Sequence, residues 1–504
     1  MELSDSRRMK AADKQAIEQL HIPSLRLMET AAAAVVDTAE KLLPRGGSCV
    51  IFSGPGNNGG DGIAAARILS DRRPDADVRV YLVGDRAKMT EDSISMEQLL
   101  NKIGLELLTW SEDTDIGHAD LFIDAIFGIG LRRPIADDAL AAVLLMKSAS
   151  VPVIAVDIAS GVDADTGLIL GDAAPAAVTV TFSAAKPGHF IEPGCECVGK
   201  LKVIDIGIPS EIIKQTGCGV YAIGRDDLYL PRRKHLTHKG DYGKLLVLGG
   251  SIPYTGAPSL CAQAAVRSGA GLVYTGVPSD IYEITAGKNA EAMVFPLKSN
   301  GRGQMSAEGW KSIQNRLALC DVCVIGPGMG RGADTSALVE LMMKNSDVPV
   351  VADADALWAI AQNPGLLDEA SCPMILTPHE GEFASLLGRP VEDRISDAIW
   401  FAREHECVLV LKGFRTICAF PDGRAYVIHA GNPGMATGGS GDVLAGVIGA
   451  MLSQLPSRRA VITAVWLHAH AGDLAAEKYG EYGMKAGDII DMLPAAEMEI
   501  IRRN

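Results

Sequence analysis

The amino-acid sequence predicts an α/β protein of two domains, each with a mainly parallel sheet covered by helices on both faces. Short apolar runs alternate with helical patterns along the whole chain, which is typical of parallel strands joined by crossover helices. The 504 residues exceed the length at which a single hydrophobic core stops growing. The alternation is interrupted once, over residues 207–236. We therefore predict domains at residues 1–220 and 221–504.

Composition and charge limit the classes of partner. Hydrophobic residues make up 48% of the chain and charged residues 22%, as in an ordinary globular protein. The net charge of −15 argues against nucleic acid and against an anionic membrane as partners. A phosphorylated small molecule remains compatible with this charge, because local backbone N–H groups can bind phosphate.

The chain also carries features of a cytoplasmic protein. Its ten cysteines have scattered spacings, as expected for reduced thiols. Residues 1–20 are highly charged and lack the apolar segment of a signal peptide. No run approaches the roughly 18 apolar residues of a membrane span. We predict a cytoplasmic location.

The expected elements follow the chain in order. Residues 5–43 have helical periodicity. The first half then has apolar runs predicted as strands at 49–52, 78–83, 121–126, 151–158 and 178–182. The boundary region contains prolines, glycines and the basic run Arg232-Arg233-Lys234. Strands of the second half are predicted at 244–248, 272–277, 322–325, 350–352, 374–377 and 408–411.

The first candidate site is the polar, glycine-rich run Gly54–Gly62, between a strand and the helical stretch 63–70. Backbone N–H groups at such a helix start can bind a phosphate. Its glycines match G-x-G-x-x-G, and Asp85 follows the next strand, so a nicotinamide-dependent dehydrogenase is one interpretation. Asn57, Asn58 and Asp61 make the loop more polar than a close-packed dinucleotide turn requires.

Two further polar loops follow neighbouring strands. Asp124 precedes Gly128–Pro134, and Asp157 precedes Ser160–Gly167. Ligands of open parallel sheets bind beyond the carboxyl ends of the strands, so we expect these loops to form one site. Asn58, Asp124 and Ser160 offer hard oxygen ligands suited to a cation such as K⁺. Arg132 and Arg133 could pair with a phosphate.

Together with the run Phe182–Gly188, these loops resemble the NAD(P)H-hydrate epimerase family over roughly residues 1–215. The resemblance implies a Rossmann-like αβα sandwich, a bound K⁺, and interconversion of the R and S hydrates of NADH and NADPH (NADHX and NADPHX). It implies that Asn58, Asp124 and Ser160 hold K⁺. The residues implied to contact the hydrate are Asn57, Asn58, Gly59, Gly60, Asp61, Gly128, Ile129, Gly130, Leu131, Arg132, Arg133, Pro134 and Asp157.

This chemistry also suggests a catalytic residue. Epimerising a carbinolamine carbon requires loss and return of water through an iminium-type cation. A nearby carboxylate would stabilise that cation and relay a proton. Asp157 is the candidate.

The second half contains the run Asn432–Asp442, directly before the apolar helical stretch 443–452. Its glycines let backbone amides approach an anion at the helix start, an arrangement suited to nucleotide phosphates and phosphoryl transfer. Asp442 could accept a proton from an attacking hydroxyl. The run Lys412–Thr416 follows a strand and offers a cation and a loop to an adenine nucleotide.

With the strand-end runs Gly326–Gly330 and Thr377–Gly381, these segments resemble the ribokinase-like fold and, within it, the NAD(P)H-hydrate dehydratase family, over about residues 225–500. The resemblance implies dehydration of the S hydrate with ADP in bacterial-type enzymes or ATP in eukaryotic ones, with Mg²⁺. It also implies a homo-oligomer. The residues implied to contact the hydrate are Ala257, Gly328, His379 and Asp442. Those implied to contact ADP are Lys412, Gly413, Phe414, Arg415, Thr416 and Gly441.

Two alternatives remain open besides the dehydrogenase. The second half could be an ordinary ribokinase-like kinase that releases a phosphorylated small molecule. The first half could be a binding or scaffolding module, since related domains occur in RNA-decapping proteins. The presence of Asn58, Asp124, Asp157 and Ser160 argues against loss of a site in the first half.

Overall fold

The computed structural model describes residues 1–502 and divides into two compact units. The N-terminal unit comprises Glu2–Val220. The C-terminal unit comprises Met1 and the chain from Tyr221 onward.

The N-terminal unit alternates strands and helices. Its strands are β1 (Glu2–Ser4), β2 (Ser48–Ser53), β3 (Asp77–Leu82), β4 (Leu107–Thr109), β5 (Leu121–Ala125), β6 (Val153–Val156), β7 (Val178–Phe182), β8 (Lys200–Ile204) and β9 (Gly217–Ile223), which crosses the unit boundary. Its helices are α1 (Ser6–Glu18), α2 (Ser24–Leu42), α3 (Asn57–Arg72), α4 (Glu91–Lys102), α5 (Asp137–Ser148) and α6 (Ser210–Gln215). Seven strands form a parallel sheet in the order β4-β3-β2-β5-β6-β7-β8.

Both faces of this sheet are covered, so the predicted αβα sandwich is confirmed. Ile51 and Ile123 belong to a buried cluster with α2, α3 and α4. Their neighbours Phe52 and Phe122 point to the opposite face, because strand side chains alternate, and pack in a second cluster with α5. Crossover helices on both faces are what a parallel sheet requires.

Residues 5–43, which have helical periodicity, form two helices: the chain turns at His21, whose φ is 54°, and Pro23 precedes the first turn of α2. One local prediction was wrong. The glycine run is not a loop throughout, since α3 begins at Asn57. A Cβ on Gly59 would lie 1.7 Å from the Gly54 carbonyl oxygen, so only glycine allows this close turn.

The C-terminal unit repeats the alternation with a larger sheet. Its strands are β10 (Lys244–Leu248), β11 (Leu272–Pro278), β12 (Met293–Leu297), β13 (Val322–Ile325), β14 (Val350–Ala352), β15 (Met374–Leu376), β16 (Val408–Leu411), β17 (Ile417–Ala419) and β18 (Ala425–Ile428). Its helices are α7 (Ala257–Arg267), α8 (Tyr282–Gly287), α9 (Trp310–Leu317), α10 (Ala333–Asn345), α11 (Asp355–Gln362), α12 (Glu380–Leu387), α13 (Arg394–Glu404), α14 (Ser440–Leu452), α15 (Ser457–Tyr479) and α16 (Ala486–Ile501).

These nine strands lie in the order β18-β17-β16-β15-β14-β13-β10-β11-β12. All neighbours up to β16 are parallel, and β17 runs antiparallel to β16 and β18. Leu245 and Val247 pack in one buried cluster with α7, α14, α15 and α16. Within residues 1–502, no helix is both long and apolar enough to cross a membrane.

Two candidate active sites

A cavity of about 530 Å³ lies at the carboxyl ends of the parallel strands in the N-terminal unit. Eight of the predicted hydrate contacts line it: Asn57, Asn58, Asp61, Gly128, Ile129, Gly130, Leu131 and Asp157. Gly59 and Gly60 are buried inside α3 and do not line the cavity. Helix α1 and the segment after β7 add three charged side chains that we did not predict there, Lys10, Asp13 and Lys186.

Asp157 directly follows β6 and has a left-handed backbone, with φ of 66°. Its Oδ1 accepts hydrogen bonds from Lys186 Nζ at 2.5 Å and from Thr181 Oγ1 at 2.8 Å. Lys186 is only 1% exposed. Burial alone would raise the pKa of Asp157, but the Lys186 ammonium and these hydrogen bonds outweigh it and lower the pKa. Asp157 is therefore a permanently ionised carboxylate in the cavity wall.

Two other carboxyls of the cavity behave in the opposite way. Burial, followed by repulsion from Asp157, raises the pKa of Asp61 well above its usual value. Burial also raises the pKa of Asp13 to about 6, although Lys186 opposes the shift. The cavity thus combines one fixed negative charge with two carboxyls whose pKa values are raised, that of Asp13 to about 6, which suits acid–base chemistry.

The three predicted K⁺ ligands lie on three segments around the same strand ends. Ser160 donates to the carboxylate of Asp124 through both its backbone N, at 2.7 Å, and its Oγ, at 2.5 Å. Asp124 is fully buried, and this burial raises its pKa. Asn58 Oδ1 approaches Gly128, and its buried Nδ2 has no hydrogen-bond partner within residues 1–502. The oxygen atoms of a buried carboxylate, an amide and a hydroxyl are ligands suited to a hard cation, whereas the unpartnered Asn58 Nδ2 is a hydrogen-bond donor and cannot bind one.

The predicted phosphate-binding arginines lie outside the cavity lining. Arg132 is held in ion pairs with Asp163 at 3.2 Å and Asp165 at 3.0 Å. Arg133 is exposed. Asp85, the acid that the dehydrogenase interpretation requires, caps a short 3-10 helix and is also outside the lining.

In the C-terminal unit the glycine run ends at α14. Gly439 has a left-handed backbone, with φ of 96°, and places Asp442 in the first turn of the helix. His468 Nε2 lies 2.9 Å from the Ser440 carbonyl oxygen and fixes this helix start. Burial, and then repulsion from Asp353, raises the pKa of Asp442 to about 7. A carboxyl with that pKa is well matched to a general base at neutral pH.

Lys412 follows β16 and pairs with a different aspartate. Its Nζ lies 2.9 Å from Asp353 Oδ1, which also accepts a hydrogen bond from Thr377 Oγ1 at 2.8 Å. A Cβ on Gly441 would lie 3.4 Å from Lys412 Nζ, so these two predicted nucleotide contacts are adjacent. Burial would lower the pKa of Lys412, but Asp353 and Glu382 outweigh it and raise the pKa. The site therefore presents a cation at a helix N-terminus.

The other predicted contacts surround this centre. A Cβ on Gly328 would lie 3.1 Å from the Ala257 Cβ, so these two hydrate contacts are neighbours. His379 caps α12: its Nδ1 accepts from the backbone N of Gly381 at 3.1 Å and of Glu382 at 3.3 Å. The proton of the neutral ring is therefore on Nε2, and the side chain is 62% exposed.

The loop after Lys412 offers an aromatic surface. The guanidinium of Arg415 lies 4.3 Å from the centre of the Phe414 ring. Thr416 Oγ1 bonds to the Gly413 carbonyl oxygen at 3.2 Å and closes the loop. Residues 1–502 hold no group of three or more His, Cys, Asp or Glu side chains that could bind a metal ion.

These two units, with polar strand-end sites and an anion site at a helix start, define an α/β enzyme that acts on nucleotides at two separate centres. A model of the NAD(P)H-hydrate dehydratase family matches residues 245–495, and a model of the N-terminal part of YjeF-related proteins matches residues 24–188. A bifunctional NAD(P)H-hydrate repair enzyme of Moorella thermoacetica is 39% identical, over 98% of this chain and 96% of its own. One from Thermofilum pendens is 36% identical, over 97% and 94%.

The chain belongs to the family of bifunctional NAD(P)H-hydrate repair enzymes. A solved ribokinase-like protein of Enterococcus faecalis is 26% identical, with a TM-score of 0.50, over 56% of this chain and 97% of its own. The ribokinase-like prediction for the C-terminal unit is thereby confirmed.

Proposed function

We propose that the N-terminal unit interconverts R and S NADHX or NADPHX, and that the C-terminal unit dehydrates the S form to NADH or NADPH with ADP, giving AMP and phosphate. The observation that carries this proposal is the relatives' match over both units. The two sites support it, since one offers acid–base groups and the other a phosphoryl-transfer centre.

In the N-terminal unit, the ionised Asp157 would lie against the iminium cation formed when the hydrate loses hydroxide. Asp61 or Asp13 would give a proton to the departing oxygen and recover it when water returns to either face. Lys186 holds Asp157 ionised, which keeps its charge available for the cation. Asn57 and the Gly128–Leu131 loop would position the nicotinamide part of the hydrate.

K⁺ is proposed to be held by Asn58, Asp124 and Ser160. The buried carboxylate of Asp124 and the position of Asn58 Oδ1 beside Gly128 support this assignment. The ion would stabilise the two loops at the cavity floor. Removing K⁺ by dialysis against a tetramethylammonium buffer should weaken binding of the hydrate and leave dehydration with ADP unaffected.

In the C-terminal unit, Asp442 would take the proton from the hydroxyl of the hydrate. The freed oxygen then attacks the β-phosphorus of ADP, and AMP leaves. Lys412 and the backbone amides at the start of α14 would bind the phosphates and stabilise the charge that develops in transfer. The ring nitrogen then expels phosphate, and loss of a proton from the adjacent carbon restores the dihydropyridine.

Several parts of this proposal extend beyond the site itself. Mg²⁺ would neutralise phosphate charge when bound. ADP is the proposed donor because the sequence resembles bacterial-type fusions. Ala257, Gly328 and His379 are proposed to contact the hydrate, and Gly413–Thr416 with Gly441 to contact ADP. A cytoplasmic location and a homo-oligomeric state are also proposed.

The test is a repair assay on an equal mixture of R and S NADHX, read as recovery of the dihydronicotinamide absorbance. ADP and ATP are supplied in separate reactions with Mg²⁺. We expect complete recovery with ADP. Recovery of only the S fraction would contradict the epimerase and favour a binding role for the N-terminal unit. Absence of recovery with either nucleotide would favour a small-molecule kinase instead.

A further inference from the structure

A second cavity, of about 1250 Å³, lies in the C-terminal unit away from the residues assigned above. The segment 230–242, the ends of α7 and α14, and one side of α16 enclose it. Asp442 is at the start of α14 and Met451, which lines this cavity, is near its end. The helical rise separates them by about 14 Å. The cavity is therefore distinct from the phosphoryl-transfer centre.

Two buried polar atoms in its lining lack partners. Ser268 is 2% exposed, and its Oγ has no hydrogen-bond partner within residues 1–502. The same holds for Oε1 of Glu497. Leaving a buried polar atom unbonded costs free energy, so native proteins usually satisfy such atoms with a partner, water or a ligand. Both atoms border the same cavity, and a ligand there could satisfy both.

The lining carries four basic side chains, Arg232, Arg233, Lys234 and Arg267, and four acidic ones, Asp241, Glu291, Asp491 and Glu497, in a protein whose net charge is −15. Arg232 and Lys234 are exposed and form no ion pair within residues 1–502. Arg233 is fixed in place, with its guanidinium 3.8 Å from the centre of the Tyr242 ring and bonded to the Gly269 carbonyl oxygen. These side chains come from the basic run in the boundary segment, which neither proposed activity uses.

The lining also includes apolar side chains, among them Val266, Leu455 and Ile490. A ligand that uses all three features needs an anionic group for the cations, hydroxyl or amino groups for Ser268 and Glu497, and a flat or apolar part. Nucleoside phosphates have all three. The volume exceeds the roughly 300–1,000 Å³ of ordinary small-molecule pockets, so a whole nucleotide can enter.

We propose that this cavity is a second nucleotide site, which binds a nucleoside phosphate with its phosphate at Arg232 and Lys234 and its polar hydroxyl or amino groups at Ser268 and Glu497. The site is independent of the chemistry at Asp442. The two sites lie at opposite ends of the same helices. Ala257 begins α7 and Ser268 follows its end, and α14 carries Asp442 at its start and Met451 near its end.

The test is amide hydrogen exchange on the full chain with ADP, NADP⁺ or inorganic phosphate added. We expect ADP or NADP⁺ to slow exchange in segments 230–242 and 263–269, and inorganic phosphate at the same concentration to have a much smaller effect. Segments 412–416 and 437–442 report on the proposed phosphoryl-transfer site in the same sample. Failure of the cavity and failure of the proposed function can therefore be told apart.

Three variants test whether nucleotide binding depends on the residues that line this cavity. R232E/K234E should weaken nucleotide binding at the cavity at least about tenfold, as loss of charge-assisted hydrogen bonds does, while protection of 437–442 remains. S268A should weaken it less. R302E/K311E changes two exposed cations of the same unit outside the cavity and should have no effect.

Two results would overturn the proposal. One is unchanged exchange in 230–242 and 263–269 at nucleotide concentrations that fully protect 437–442. The other is protection of these segments that rises with protein concentration in the absence of nucleotide, which would make the cavity an interface between copies of the chain.

Discussion

Both units place a lysine–aspartate ion pair at the ends of their parallel strands, but the pKa values of the two proposed catalytic aspartates are shifted in opposite directions. In the N-terminal unit, the buried Lys186 pairs with Asp157, the proposed catalytic carboxylate. In the C-terminal unit, the half-buried Lys412 pairs with Asp353 at 2.9 Å, and the proposed catalytic Asp442 forms no ion pair within the described residues. The pKa of Asp157 is lowered, whereas that of Asp442 is raised to about 7.

This difference matches the chemistry proposed for each site. Stabilising an iminium cation requires a charge that is always present, and a lysine partner ensures it. Taking a proton from a hydroxyl requires a group whose pKa is near the working pH. Lys412 does lower the pKa of Asp442, but burial of Asp442 and repulsion from Asp353 outweigh this effect.

Substitution of Asp442 should have the largest effect of the changes considered. Asp442→Asn should lower the rate of dehydration by about 10²–10⁴-fold, because the amide cannot accept the hydroxyl proton. Epimerisation should be unchanged. The measurement is single-turnover dehydration of S NADHX with ADP, beside R–S exchange followed by chromatography without nucleotide. The exposed Asp347→Asn is the control. A dehydratase that keeps more than a tenth of its rate would exclude Asp442 as the base.

Lys186→Met tests the other half of the comparison. It leaves Asp157 buried without its counter-charge, so the N-terminal unit should lose about 3–5 kcal/mol of unfolding free energy and its epimerase activity. Dehydration should persist. Chemical denaturation of the full chain measures the loss.

The double variant Asp157→Asn/Lys186→Met tests whether the loss of stability comes from the unpaired charge of Asp157. It removes both members of the pair and should regain much of the stability without regaining activity. Equal instability of the single and double variants would mean that Lys186 stabilises the unit by packing alone.

The pH dependence of the two reactions should differ. Asp442 keeps its proton up to its raised pKa of about 7, so kcat/KM for dehydration should fall about tenfold for each pH unit below that value and level off above it. Asp355 contributes repulsion to this shift, and Asp355→Asn should move the midpoint to lower pH. Epimerisation should show the opposite slope: Asp157, with its lowered pKa, gives no midpoint near neutrality, and the proposed proton donors Asp13, with a pKa of about 6, and Asp61 lose their protons as the pH rises. Parallel pH profiles of both reactions would decide the point.

One substitution made in both glycine runs should give the smallest effects. Gly59→Ala forces a Cβ against the Gly54 carbonyl and should destabilise the N-terminal unit by about 1–3 kcal/mol. Gly441→Ala meets no atom closer than 3.4 Å and should leave stability unchanged while weakening ADP binding. Thermal unfolding and equilibrium binding of ADP separate the two outcomes. A loss of stability in Gly441→Ala would contradict this assignment.

Much of the architecture could be predicted from the sequence, because strand spacing and hydrophobic alternation are local properties. Several strands, such as Val178–Phe182 and Lys244–Leu248, have the predicted bounds. The strands β4, β8, β17 and β18 were missed, since such short strands give weak patterns. The start of α3 was misplaced, because helical glycines here depend on close contacts with distant residues.

The sequence by itself determined the α/β class, the two-unit organisation and the polar strand ends on which the sites are built. Parallel strands bring their carboxyl ends to one edge, so local order in the chain is enough to predict which residues meet there. Only the tertiary structure decided the partners of each charge: Lys186 for Asp157, Asp353 for Lys412, and Asp13 from a helix with no distinguishing pattern. A pKa depends on burial and on neighbours within a few ångströms, and those neighbours come from segments far apart in sequence.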